Sequence, residues 1–278
     1  MRLTVSFLRR SAQFVALLSG KTPKNSSLRT TPPKTVLLLS FPRSGTSWIG
    51  SVLDNFGPPF IDYGELFGGL SESPGLAIIA RHYRGFRFRY LRIFISQRRD
   101  WKPLCFEGAG LDPTRVLEIV NQQPGINVIK VFPGHLADDQ LATLLKNYVS
   151  QVVFLRRNHF DRLVSLKVAQ QSGKWQNEKY FGPEISPDRD ELKRFTDGYT
   201  SWYREKKSLC IEIGIPVLDV AYEDLFSEEK LHALVIALSG GQITIPENQT
   251  LVSSLSKQGP RETHVGHEFE EWMPESST

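Results

Sequence analysis

From Arg43 to Ser47 the chain reads Arg-Ser-Gly-Thr-Ser, placing a guanidinium, a glycine and three hydroxyls directly behind the apolar run Thr35 to Leu39. Ile49, Val52 and Leu53 then follow at helical spacing, so the local order is strand, tight turn, helix. Gly45 lets the backbone approach a ligand, and successive amides at a helix start form a concave site for an anion. Thr46 and Ser47 add hydroxyl donors, and Arg43 adds a planar cation suited to phosphate or sulfate oxygens. The chemistry of this segment is oxyanion binding. A plainer role is open to the same residues, in which Ser44 or Thr46 caps the helix and Arg43 is solvated. A kinase or GTPase loop would read G-x-x-x-x-G-K-[ST]; here both the first glycine and the lysine are missing, which disfavours an ordinary nucleoside triphosphatase.

The longer string Ser40-Phe41-Pro42-Arg43-Ser44-Gly45-Thr46-Ser47-Trp48 resembles the 5′-phosphosulfate-binding loop of sulfotransferases, which use 3′-phosphoadenosine 5′-phosphosulfate (PAPS). Cytosolic members carry Lys at the position of Arg43, whereas bacterial and carbohydrate-directed members often carry Arg. The resemblance implies that Arg43, Ser44, Gly45, Thr46 and Ser47 hold the sulfuryl-bearing phosphate and that Trp48 packs on the adenine, with core packing the other role open to Trp48. It also implies a second anchor on a later strand, an Arg behind the apolar run and a Ser eight residues on. Arg157 and Ser165, behind Val152 to Leu155, stand in those places. A strand-end guanidinium and a hydroxyl two helical turns along can both reach a phosphate beside a helix N-terminus. Ser201-Trp202-Tyr203, Pro216-Val217-Leu218 and Tyr222-Glu223-Asp224-Leu225 extend the likeness, and Lys257-Gln258-Gly259-Pro260-Arg261 resembles the basic loop that closes over the 3′-phosphate. The resemblance runs from about Lys34 to Trp272. Within the family, the run from Arg156 to Trp175 is most similar to the bacterial Nod-factor and trehalose sulfotransferases.

Sulfuryl transfer requires an in-line acceptor, a base for its proton and positive charge for the leaving phosphate; no metal is expected. Arg43 is one such cation, and Lys130 matches a family lysine near the bridging oxygen, although pairing with a nearby carboxylate is the other role open to it. Cytosolic members place a His two residues after that lysine, where this chain has Phe132; His135 is close but out of register. Carbohydrate-type and Nod-factor-type members instead use or retain a Glu after the second strand, which here is Glu65. The base is therefore Glu65 or His135, with Glu65 preferred.

These residues need strands to carry them. Thr35 to Leu39, Ile126 to Val131, Gln151 to Leu155 and Pro216 to Val220 are short apolar runs of the kind buried on both faces of a sheet, and helical patterns over Leu136 to Tyr148 and Asp161 to Ala169 alternate with them. Such alternation predicts an α/β fold with a parallel, doubly wound sheet, whose ligands bind beyond the carboxyl ends of the strands, and the resemblance implies a P-loop-like three-layer form of it with a mainly parallel central sheet. The Pro/Ser/Thr-rich stretch Lys21 to Pro33 reads as a linker. Residues 1–33 are thus expected to be a basic extension and linker, and 34–278 one sulfotransferase domain.

With 278 residues and 40% hydrophobic content, the chain can bury a full core, and its composition excludes general disorder, collagen and coiled coil. Two cysteines, Cys105 and Cys210, are too few for a disulfide framework and read as buried thiols. The net charge of +4 conceals an asymmetry, because no Asp or Glu occurs before Asp54, and Arg81 to Lys102 carries six further arginines between its ends against Asp100 alone. That second block has Tyr83, Phe86, Tyr90 and Phe94 at helical steps, either as core or as a border of the acceptor cleft. A small-molecule or carbohydrate acceptor, sulfated on a hydroxyl or an amine, is the expected partner, with no nucleic acid and no transmembrane segment. The expected compartment is the cytoplasm, although the acid-free first thirty residues also resemble an organelle targeting segment. Two rival functions fit parts of the pattern: a phosphate-transfer enzyme with a degenerate loop, and a catalytically silent binding module for nucleotide or nucleic acid.

Overall fold

The structure, a computed structural model, describes residues 34–68, 78–79, 112–172, 185, 187–245 and 250–253. Five strands form one sheet: β1 (Lys34–Leu39), β2 (Phe60–Asp62), β3 (Ile126–Val131), β4 (Gln151–Arg156) and β5 (Val217–Ala221). Their order across the sheet is β2-β3-β1-β4-β5, and every neighbouring pair is parallel. Six α-helices lie among the described residues: α1 (Thr46–Phe56), α2 (Pro113–Asn121), α3 (Asp138–Tyr148), α4 (His159–Ser172), α5 (Arg189–Ile213) and α6 (Glu228–Leu238). A short 3₁₀ turn, Tyr222–Phe226, follows β5.

Side-chain alternation along the strands builds the three layers. Leu37 and Leu39 of β1, Ile129 and Val131 of β3, and Val152 and Phe154 of β4 point to one face, where they pack with Val116, Val120, Leu141, Leu145 and Cys210 of α2, α3 and α5. Val36 and Leu38, Ile126 and Val128, and Val153 and Leu155 point to the other, against Ile49, Val52, Leu234 and Leu238 of α1 and α6. Because both faces are covered, β1, β3 and β4 are apolar over most of their length. Cys210 is a fully buried free thiol, and burial pushes its pKa up to about 11, so it is an inert core group.

All-parallel pairing brings every strand's carboxyl end to one edge of the sheet. There lie the turns after β1, β2 and β3, the start of α4 and the 3₁₀ turn after β5, so residues separated by more than 180 positions in sequence share one site. Among the described residues no helix is long and apolar enough to cross a membrane. The aromatic and arginine-rich block from Arg81 to Lys102, Cys105 and Lys257 lie outside the described residues.

Candidate active site

Ser40, 1% exposed, fixes the exit of β1 to both neighbouring strands: its amide donates to the Val131 carbonyl at 3.2 Å and its hydroxyl to the Leu155 carbonyl at 2.7 Å. Arg43 then takes a left-handed backbone conformation, φ 71°, which is costly for a residue with a Cβ. Two contacts hold it there. Arg157 Nη1 donates to the Arg43 carbonyl at 2.9 Å, and Arg43 Nε donates to Ser165 Oγ at 3.0 Å. The two anchors expected from sequence thus touch each other, the loop after β1 meeting the end of β4 and the first turns of α4.

Gly45 is the N-cap of α1 with φ 91°, and no side chain caps this helix. Capping by Ser44 or Thr46 is therefore not their role. Ser44 Oγ lies fully buried with no hydrogen-bond partner, and Arg157, 7% exposed, leaves its Nε equally unpartnered. Buried donors without acceptors are uncommon and point to an absent oxygen-rich ligand or water. Tyr222 organises this corner from below. A Cβ on Gly45 would overlap its ring, and the Arg157 guanidinium lies over that ring at 4.8 Å. Glu223 Oε1 accepts the Asn158 amide at 2.9 Å and Asn158 Oδ1 accepts the Asp161 amide at 3.2 Å, which together start α4. Thr46 is buried, while Gly45 and Ser47 are half-buried. Trp48, 6% exposed, belongs to the apolar cluster between the sheet and α1, the core role that the sequence also allowed.

A second group of charges gathers where β2 and β3 end. Lys130 Nζ lies 2.8 Å from Asp62 Oδ2, and both side chains are buried. Gly50 of α1 faces this pair, and a Cβ there would overlap Asp62 Oδ2 and crowd the Lys130 ammonium. Glu65 follows in the turn after β2. Burial pushes its pKa up first of all, Lys130 pulls it down and Asp62 pushes it up further. His135 folds back so that its Nδ1 accepts the Phe132 amide at 3.2 Å, and its ring lies against Gly68. Burial pushes this imidazole down to about 4. It is therefore neutral at pH 7, with its proton on Nε2 and its free lone pair already engaged.

Asp62, Gly50, Tyr222 and Arg162 have parts here that sequence reasoning did not assign. A glycine inside an apolar helical pattern was the available signal for Gly50. Arg162 is 1% exposed, and its guanidinium nitrogens have no hydrogen-bond partner; instead its Cζ lies 4.7 Å from the Phe41 ring centroid and 4.2 Å from those of Phe195 and Tyr199. These π-faces carry the charge, and burial is the main cause that brings its pKa down to about 10. Phe41 precedes Pro42 and Arg43, so this cage braces the loop from α4 and α5.

The fit around Gly50 makes a prediction. In an ordinary helix interior Gly→Ala stabilises by about 1 kcal/mol. Here the added methyl meets a buried ion pair, and Gly50→Ala is expected instead to destabilise the protein by about 1–3 kcal/mol, as overpacking does. Denaturant unfolding of the two proteins measures the sign directly.

A family model described as a sulfotransferase domain matches residues 33–230, well over half of the chain. No curated protein matches it.

Proposed function

Because the chain belongs to the sulfotransferase family, we propose that it takes a sulfuryl group from PAPS and passes it to a hydroxyl or amine of a small-molecule or carbohydrate acceptor. One observation carries the choice of donor. Two cationic anchors from separate strands are joined through Arg157 and the Arg43 carbonyl, and buried Ser44 Oγ and Arg157 Nε beside that joint have no partner. Such a set fits a ligand with two anionic groups. Arg43, Ser44, Thr46, Ser47 and the first amides of α1 would hold the phosphosulfate end. Arg157 and Ser165, with Lys257, would hold the 3′-phosphate. Bound PAPS would supply a sulfuryl group activated by its link to the 5′-phosphate.

Glu65 accepts the proton that the acceptor gives up as its oxygen or nitrogen bonds to sulfur. The partial burial that raises its pKa makes it a stronger base than a solvated carboxylate. His135 is the weaker choice, because its accepting nitrogen already holds the Phe132 amide. Lys130 and Arg43 supply positive charge for the oxygen released from sulfur.

Titration calorimetry with 3′-phosphoadenosine 5′-phosphate tests the donor. This nucleotide is expected to bind more tightly than adenosine 5′-monophosphate, and Arg157→Ala is expected to weaken it by roughly 10- to 100-fold, the worth of a lost charged hydrogen bond of about 1.5–3 kcal/mol. Equal binding of the two nucleotides by the folded protein would overturn the assignment of the donor.

A further inference from the structure

We propose that Asp62 is a positioning residue that sets the Lys130 ammonium and the Glu65 turn in one fixed arrangement, an inference that rests on the roles given above to Lys130 and Glu65. The geometry is a closed ring. Asp62 Oδ2 holds Lys130 Nζ at 2.8 Å, Asp62 Oδ1 accepts the Gly64 amide at 2.9 Å, and the Gly64 carbonyl accepts the Lys130 amide at 2.9 Å. One carboxylate, 4% exposed, thereby ties a β3 side chain to the backbone immediately before Glu65. Gly64, at φ 62°, makes the bend that lets Oδ1 reach the amide.

Stability alone does not call for this arrangement. Well-packed apolar residues of similar volume commonly serve a core as well as a buried ion pair does. Gly50 is a second concession at the same place, since a glycine inside a helix is less stable than alanine and this one leaves space that the pair fills. Two departures from the most stable choice, converging beside the proposed base, mark a functional position.

The ring also keeps Lys130 occupied. Among the described residues, the charges acting on Glu65 are Lys130 from β3, which favours its ionised form, and Asp62 from β2, which opposes it; His135, beside Gly68 at the end of the same turn, is neutral. Asp62 thereby holds the Lys130 ammonium at the end of β3, in place for charge developing on the donor side.

The test compares wild type, Asp62→Asn, Asp62→Glu and Glu65→Gln for turnover, for 3′-phosphoadenosine 5′-phosphate affinity and for the pH dependence of kcat. Asparagine keeps an oxygen for the Gly64 amide but removes the charge. Asp62→Asn is expected to lower kcat by about 10- to 100-fold, the scale of a misplaced reacting group, with nucleotide affinity within about twofold. The acid limb of its pH profile is expected to move down by about one unit, because Lys130 is released toward Glu65. A merely structural pair would lower stability and leave kcat of the folded enzyme unchanged, which overturns the proposal; so does an unmoved limb, since the charge of Asp62 would then not reach Glu65. If Asp62→Asn does not fold, Asp62→Glu carries the test, since it keeps the charge and moves it by one methylene; unchanged kcat there overturns the proposal, and a tenfold or larger loss with intact nucleotide binding supports it. Loss of activity in Glu65→Gln with none in either folded Asp62 variant rejects only the role of Asp62. Full activity in Glu65→Gln rejects the assignment of the base, and this proposal with it.

Discussion

Glu65→Gln is expected to lower kcat by roughly 10²- to 10⁴-fold, the usual worth of a positioned general base. The amide matches the carboxylate in shape but cannot take the acceptor's proton. The affinity for 3′-phosphoadenosine 5′-phosphate should stay within about twofold of wild type, because the donor anchors come from other elements. In the wild-type enzyme, kcat should rise with pH through the elevated pKa of Glu65, whose first cause is burial. The stability consequence has a definite sign. A carboxyl whose folded pKa lies above its unfolded value holds its proton longer in the native state, so stability falls as pH rises from the unfolded value through the folded one. Glu65→Gln removes that penalty, and at neutral pH the variant should unfold no more readily than wild type. Turnover assays and thermal unfolding over a pH series separate the two effects.

Gly45→Ala should be the most damaging single methyl in the described part of the chain. Two costs add at this position. The backbone is at φ 91°, which costs an L-residue about 1–2 kcal/mol, and the new Cβ overlaps the Tyr222 ring, an overpacking cost of about 1–3 kcal/mol. Tyr222 cannot swing aside cheaply. It is 4% exposed, lies beneath the Arg157 guanidinium and meets Phe226 edge-on at 5.4 Å. A total loss of about 2–5 kcal/mol is expected, together with loss of nucleotide binding, because displacing Tyr222 moves Arg157 and hence the carbonyl support of Arg43. Thermal unfolding and calorimetry check both. Retention of full nucleotide affinity would mean that the loop tolerates a different path around Arg43.

What the sequence made legible follows from what parallel sheets require. β1, β3 and β4 stood out because strands covered on both faces must be largely apolar, β5 stood out as a short apolar run behind a proline although it lies at the sheet edge, and the ends of all four were placed to within one or two residues. β2 is only three residues long, too short to show a pattern of its own. α5 is long, but only Tyr199, Lys206 and Cys210 among its residues are buried, so its apolar face is faint in the sequence. The segments around Arg43 and Arg157 were legible because strand, loop and helix start are consecutive in the chain, and the likeness to sulfotransferases singled them out. The partner of Lys130 could not. It depends on the register that sets Asp62 beside Val128 of β3, which puts the carboxylate and the lysine two residues on along the same face, and no local spacing encodes that register. Gly50 carried a signal as a glycine inside an apolar helical pattern, but what it packs on was hidden for the same reason, since those neighbours across the helix–sheet interface are 12 and 80 positions away.

The strand order β2-β3-β1-β4-β5 separates the site into two blocks. The described residues given to the nucleotide follow β1 and β4, and the turn after β5 supports them, whereas Asp62, Glu65, Lys130 and His135 belong to the ends of β2 and β3. The two blocks meet between β1 and β3, and Gly50 of α1 packs on the Asp62–Lys130 pair across that line. Modularity of this kind lets one block drift while the other is conserved in geometry. A laboratory library confined to the turn after β2, with Lys130 and Asp62 left in place, would diversify proton transfer without touching the residues given to the nucleotide, which makes that turn the natural place to begin redesign.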